Sequence, residues 1–237
     1  MKAYDPDQPL ISLHVPKCAG QSFRGLLRHW YGDRLFFHYF HKENAPPPRH
    51  VLPPRACVHG HFNRKKGLGV DDYYPEAGQF ITILRDPLEI ALSNYFYWKR
   101  KARQLQIERG TLRESDEHDY RNIDDFFRKR PLSHLMNFLP AGLNRDNYRE
   151  FFEEHFVWVG LVENLSETIP VLAKRLGFAA VALEWRNASP RDEEPSPAVI
   201  QAFLRENPLE FEIVRHVRGQ WLEQGIGRAP GAGENHG

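Results

Sequence analysis

Apolar positions along this chain follow two rhythms. Five short runs, at residues 10–15, 34–39, 56–59, 80–84 and 156–161, are rich in aliphatic, β-branched and aromatic side chains. Runs this short and this continuously apolar predict strands buried on both faces of a parallel sheet. Elsewhere the period lengthens. Phe23, Leu26, Leu27 and Trp30 recur at i, i+3, i+4 and i+7 ahead of Gly32, and Leu88, Ala91, Leu92 and Tyr95 repeat the pattern. Both stretches predict amphipathic helices. A further helix is expected from about residue 167 to 176, stopped by Gly177, with Pro170 confined to its first turn. Ser196-Pro197 and Asn207-Pro208 each read as a helix cap followed by proline at the first helical position, so two last helices are expected, ending near Gln224. The pattern predicts an α/β fold: a short parallel sheet flanked by helices on both faces.

The richest chemistry sits where the first strand runs into the first helix. Between them lies Pro16-Lys17-Cys18-Ala19-Gly20-Gln21-Ser22, followed by Phe23. Backbone N–H groups and the dipole at a helix N-terminus favour an anion. Lys17 adds a cation, Gly20 permits close backbone approach, and Ser22 adds a hydroxyl. The lysine stands five residues before Ser22, whereas the magnesium-nucleotide loop G-x-x-x-x-G-K-[ST] places it directly before the hydroxyl. An ordinary strand-to-helix turn with a solvated lysine is the plain alternative. After the strand at 80–84 comes Arg85-Asp86-Pro87, where a guanidinium could hold two phosphate oxygens or simply pair with Asp86. Between the two motifs, Cys57, His59 and His61 alternate along a strand. Imidazole titrates near neutral pH and can take a proton from a hydroxyl. The same spacing is compatible with zinc, although a fourth ligand is not evident.

The string H-V-P-K-C-A-G-Q-S-F closely resembles the 5′-phosphosulfate loop of sulfotransferases that use 3′-phosphoadenosine 5′-phosphosulfate (PAPS), and R-D-P with a serine eight residues past the arginine resembles their 3′-phosphate element. His59-Gly60-His61 resembles the H-G-H of heparan sulfate 2-O-sulfotransferases, in the carbohydrate branch of that family. The resemblance implies a P-loop NTPase-like core in a single domain over residues 1–224, with an acceptor-side insertion at 95–150, while the tail at 225–237 has no packing pattern and is expected to be disordered. It implies transfer of a sulfuryl group from PAPS to an acceptor hydroxyl, most naturally of a glycan or glycoconjugate, leaving PAP. His61 would be the base, with His59 orienting it, and Lys17 would stabilise charge on the departing phosphate. Residues Lys17, Cys18, Ala19, Gly20, Gln21, Ser22 and Phe23 would cradle the 5′ end, and Arg85 and Ser93 the 3′-phosphate. Asn187, Ser189 and Arg191 resemble the loop that closes over the nucleotide. No metal is implied.

Charge and cysteine content narrow the picture. With 32 Lys+Arg against 31 Asp+Glu, attraction for an anion must be local, and nothing points to nucleic acid. The two cysteines, Cys18 and Cys57, make no disulfide framework and are expected to be reduced thiols. Cys18 reads as a small residue fitting a tight loop. Residues 99–131 are basic, then acidic; a solvated helical hairpin is expected there, with an acceptor-side lid as the functional alternative. Residues 1–9 are polar and the first apolar run is too short to span a bilayer, whereas animal members of the resembled branch carry a membrane anchor. A cytoplasmic, bacterial enzyme is therefore expected. Two other classes stay open: a nucleotide kinase or NTPase on the same core, and a non-catalytic phosphoadenosine- or glycan-binding protein.

Overall fold

The computed structural model describes residues 1–40, 46–109, 120–182 and 191–227. In chain order the elements are β1 (Leu10–Leu13), α1 (Gly20–Tyr31), β2 (Leu35–His38), β3 (Cys57–Gly60), α2 (Val70–Tyr73), β4 (Phe80–Leu84), α3 (Pro87–Arg109), α4 (Ile123–Lys129), α5 (Tyr148–His155), β5 (Phe156–Leu161), α6 (Leu165–Leu176), α7 (Pro197–Glu206) and α8 (Pro208–Glu223). The chain divides into two compact units: Met1–Arg85 with Leu135–Arg186 and Glu212–Gly237, and Asp86–His134 with Asn187–Phe211.

All five expected strands form, and they make one parallel sheet in the first unit, in the order β2-β3-β1-β4-β5. Every residue of β1, β3, β4 and β5 is buried, so both faces of the sheet are covered. The fold is therefore of the α/β class that the apolar runs predict. Strand order reverses between β1 and β4, because the chain builds outward on the β3 side first and then on the β4 side. In open α/β sheets that reversal leaves a crevice at the carboxyl ends of the strands.

Packing beneath the sheet explains the helical stripes. Phe23, Leu26 and Leu27 of α1 are buried, and Phe23 lies near-parallel to Trp158 of β5 at 5.9 Å. Tyr31, not Trp30, completes the buried stripe. Trp30 sits at its margin, stacked on Phe178 at 5.3 Å. Gly32 stops α1 with φ of 51°, a left-handed value that glycine adopts without steric cost. Trp221 of α8 donates its indole N–H to the Val159 carbonyl at 2.9 Å.

One expectation about helix starts needs correction. α6 begins at Leu165 and carries Pro170 in its interior, beyond the first turn. Pro170 and Ser166 both face solvent, so water can reach the Ser166 carbonyl that the proline leaves without its helical donor.

In the second unit, α3, α4 and α7 bury a shared core of Ala91, Leu92, Tyr95, Phe96, Ile123, Phe126, Phe127, Val199 and Phe203. Asp86 starts α3 as a cap, its Oδ1 accepting the Leu88 and Glu89 N–H groups at 2.9 and 3.3 Å. Asn207 does not cap α8 as expected. Its amide donates to the Pro131 and Phe203 carbonyls and accepts from the Ser133 N–H, tying the chain after α4 to the end of α7. Ser196 likewise makes no side-chain cap; its N–H donates to Asp124 at 2.8 Å. Of the stretch expected to be disordered, residues 228–237 lie outside the described residues. Among the described residues no helix is long and apolar enough to cross a membrane.

Candidate functional site

Three neighbouring strands of the first unit, β3, β1 and β4, deliver their carboxyl ends to one place, and each carries an expected site residue there. β1 ends at Leu13, two residues earlier than its apolar run suggests, although the His14 N–H extends the ladder by one bond to the Gly60 carbonyl at 2.8 Å. The loop that follows bends through left-handed conformations at Lys17 (φ 68°) and Ala19 (φ 54°). For side-chain-bearing residues such conformations cost of order 1–2 kcal/mol each. The loop is held by the Cys18 N–H on the Val15 carbonyl and the Phe23 N–H on the Ala19 carbonyl. Cys18 is buried, and burial pushes its thiol pKa up, so it packs as a neutral filler.

Gly20 opens α1, but its bareness serves a neighbour. A Cβ there would stand 1.6 Å from Nε2 of His14. The helix start carries no side-chain cap and no acidic residue in its first turn. The first turn itself sets no carboxylate against the dipole, and Lys17 stands three residues away. β4 supplies Arg85, whose Nη1 donates to the Lys17 carbonyl at 3.3 Å. Thr82 of the same strand donates to the Leu13 carbonyl at 2.8 Å. The two motifs, 68 residues apart in sequence, thus meet at the point where strand order reverses.

β3 delivers the histidines. His59 is 1% exposed, with Nδ1 2.9 Å from the Ser12 hydroxyl, and Nε2 has no hydrogen-bond partner among the described residues. Burial pushes its pKa down to about 3, so it is neutral at physiological pH. His61 lies just past the strand, with Nδ1 2.8 Å from the His14 carbonyl. A carbonyl can only accept, so Nδ1 carries the proton and Nε2 presents its lone pair. Burial lowers the His61 pKa, partly countered by that carbonyl, and favours the neutral ring. Neutral, with a fixed tautomer and an accepting nitrogen, His61 has the form a general base requires. Gly60 between them is dictated by backbone approach: a Cβ there would stand 1.9 Å from the His38 carbonyl oxygen.

His14 was not among the expected site residues, yet it stands at the centre of this cluster. Its ring stacks on His61 at 4.1 Å and on His59 at 5.1 Å, and its Nδ1 lies 2.9 Å from the Tyr39 hydroxyl. Phe138 closes on His61 edge-first at 5.8 Å. A signal for His14 was present: it lies two residues past Ser12, which pairs with His59, so strand alternation sets His14 beside His61. That signal needs the β1–β3 pairing, which one sequence does not reveal.

The remaining expected residues belong to the second unit or lie outside the described chain. Ser93 is half-buried on α3. Arg191 holds Glu89 in a two-pronged pair at 2.9 and 2.5 Å. Asn187 and Ser189 lie outside the described residues. Among the described residues no group of three or more His, Cys, Asp or Glu side chains could hold a metal ion.

No family model matches the chain, and no curated protein does. Among solved structures, the chain is similar to mouse sulfotransferase SULT7A1 complexed with PAP, over 90% of this chain and 67% of that one. Identity in that match is 10% and the TM-score is 0.45.

Proposed function

We propose that this protein is a PAPS-dependent sulfotransferase acting on a hydroxyl, most naturally of a carbohydrate. The observation that carries the reading is the His61 ring, locked by the His14 carbonyl with Nε2 as acceptor, beside an uncapped helix start flanked by Lys17 and Arg85. PAPS would supply a sulfuryl group already activated on a phosphate leaving group. The residues present suit such a ligand, since the helix start, Lys17 and Arg85 all favour an anion. The main chain from Lys17 to Phe23 would hold the 5′ end. Arg85 would hold the 3′-phosphate. Nε2 of His61 takes the acceptor's proton as its oxygen bonds to sulfur and the sulfur–phosphate oxygen bond breaks. Lys17 and the loop amides offset charge on the departing phosphate. His59, buried and bonded to Ser12, stiffens β3 beneath the base.

The test is turnover of labelled PAPS against a panel of hydroxyl acceptors, paired with calorimetric titration of PAP. His61→Ala should lose about 10²–10⁴ in turnover with PAP affinity retained. Hydrolysis of magnesium-ATP without PAP binding would establish the nucleotide-hydrolase alternative instead. PAP binding with no turnover of any acceptor would leave only a binding role, and unchanged turnover in His61→Ala would remove His61 as the base.

A further inference from the structure

We propose that His14, held by Tyr39, is the positioning residue of the His61 base; the proposal rests on the sulfotransferase reading for its catalytic meaning but not for its geometry. Three contacts converge on His61 from one residue and its partner. The His14 carbonyl accepts the Nδ1 proton at 2.8 Å, the His14 ring lies against the His61 ring at 4.1 Å and 24°, and Tyr39 meets His61 edge-first at 5.0 Å. The His14 ring is itself fixed: Tyr39 Oη lies 2.9 Å from its Nδ1, and its opposite edge presses on the bare Cα of Gly20. His14 therefore joins the base to the first residue of α1, where the anion would sit. A shift of that ring moves base and helix start relative to one another.

The charged and titratable groups around His61 come from every packed element. His14 follows β1, His59 belongs to β3, and His38 and Tyr39 stand at the end of β2. Arg24 comes from α1, its guanidinium over the Tyr39 ring at 5.7 Å. His14 is held neutral well below the ordinary imidazole range, by burial first and then by His61, His59 and Arg24. Tyr39 is pushed up by burial, so its hydroxyl keeps its proton and can donate. A neutral His14 adds no charge against the imidazolium that His61 becomes. It also excludes water from one side of the ring.

The experiment uses the full chain labelled with ¹⁵N-histidine, read by long-range ¹H–¹⁵N correlation across a pH titration, with turnover measured in parallel. Two variants separate the contacts. His14→Asn keeps an amide where Nδ1 stood and loses the ring; Tyr39→Phe keeps the edge contact and loses the hydroxyl. In the parent protein His61 should show protonated Nδ1 and bare Nε2. His14→Asn should even out the two tautomers, raise the His61 titration toward its ordinary value and cut turnover about 10²-fold, as expected of a base displaced by about 1 Å. Tyr39→Phe should act in the same direction at about 3- to 10-fold, the scale of one neutral hydrogen bond. PAP affinity should be unchanged in both. If neither variant alters the tautomer or titration of His61, His14 does not position it, whatever happens to turnover. If the spectra move as described while the parent turns over no acceptor and binds no PAP, the sulfotransferase reading falls and the positioning stands. Should His14→Asn fail to fold, Tyr39→Phe decides, since it removes one oxygen atom.

Discussion

Replacing Gly20 with alanine adds one methyl group, and the structure says where it goes. The new Cβ would stand 1.6 Å from Nε2, 2.1 Å from Cε1 and 2.3 Å from Cδ2 of His14, three atoms along one edge of the ring. Ordinary contact begins at 3.4 Å, so the edge must retreat by about 1.8 Å. Swinging one atom aside is not enough. Retreat is opposed by the Tyr39 hydroxyl at 2.9 Å and by the stack on His61 at 4.1 Å, so at least one contact breaks. Overpacking of this kind costs about 1–3 kcal/mol. Alanine would ordinarily gain up to about 1 kcal/mol over glycine within a helix, and less at its first position. The clash should therefore prevail, and urea unfolding followed by tryptophan fluorescence should show a net loss. Repeating the substitution in a His14→Ala background removes the obstacle, and the sign should reverse to neutral or mildly stabilising. The double-mutant cycle should return a coupling of about 2 kcal/mol, with any cavity left by His14→Ala cancelling between its arms. A neutral or stabilising Gly20→Ala in the parent background, with no coupling, would show that the imidazole does not lie on that glycine. The link between α1 and His61 would then be lost.

Acid should weaken the protein well before its carboxylates titrate. His14, His38 and His59 are held neutral by burial, His38 to about 4 and His59 to about 3, so the unfolded chain binds more protons below pH 6.5 and stability drops as pH falls. The slope should approach 1.4 kcal/mol per pH unit for each such histidine between pH 6 and 4, and a flat urea midpoint across that range would contradict their burial. Gly60→Ala should be far worse than Gly20→Ala, since its Cβ meets the His38 main-chain oxygen, which cannot move without parting β2 from β3; normal soluble expression with an unchanged melting temperature would refute this. Asp86→Ala should remove the α3 cap and cost about 1 kcal/mol, restored by Asp86→Ser, which can accept the same N–H groups; thermal melts of the pair decide it.

What one sequence could disclose here depended on how local each physical cause is. The five strands were legible because a strand buried on both faces leaves no polar position to break its run, as in Phe80–Leu84 and Phe156–Leu161. The strand-to-helix loop and the arginine after β4 were legible as motifs, but their meeting at the Lys17 carbonyl was not, because it depends on β4 lying next to β1. Helix starts misled where a side chain had a better distant partner: Asn207 spends its amide on Pro131, Phe203 and Ser133 instead of capping α8. Glycine carried a meaning that sequence did not disclose. Gly20 and Gly60 are each a place where another part of the chain, the His14 ring or the His38 carbonyl, comes too close for a Cβ. A glycine beside a candidate site therefore poses a question about which neighbour fills its missing side chain. Here the neighbour of Gly20 is the residue whose carbonyl sets the proton on His61, so the bare position at the start of α1 and the tautomer of that ring both trace to His14.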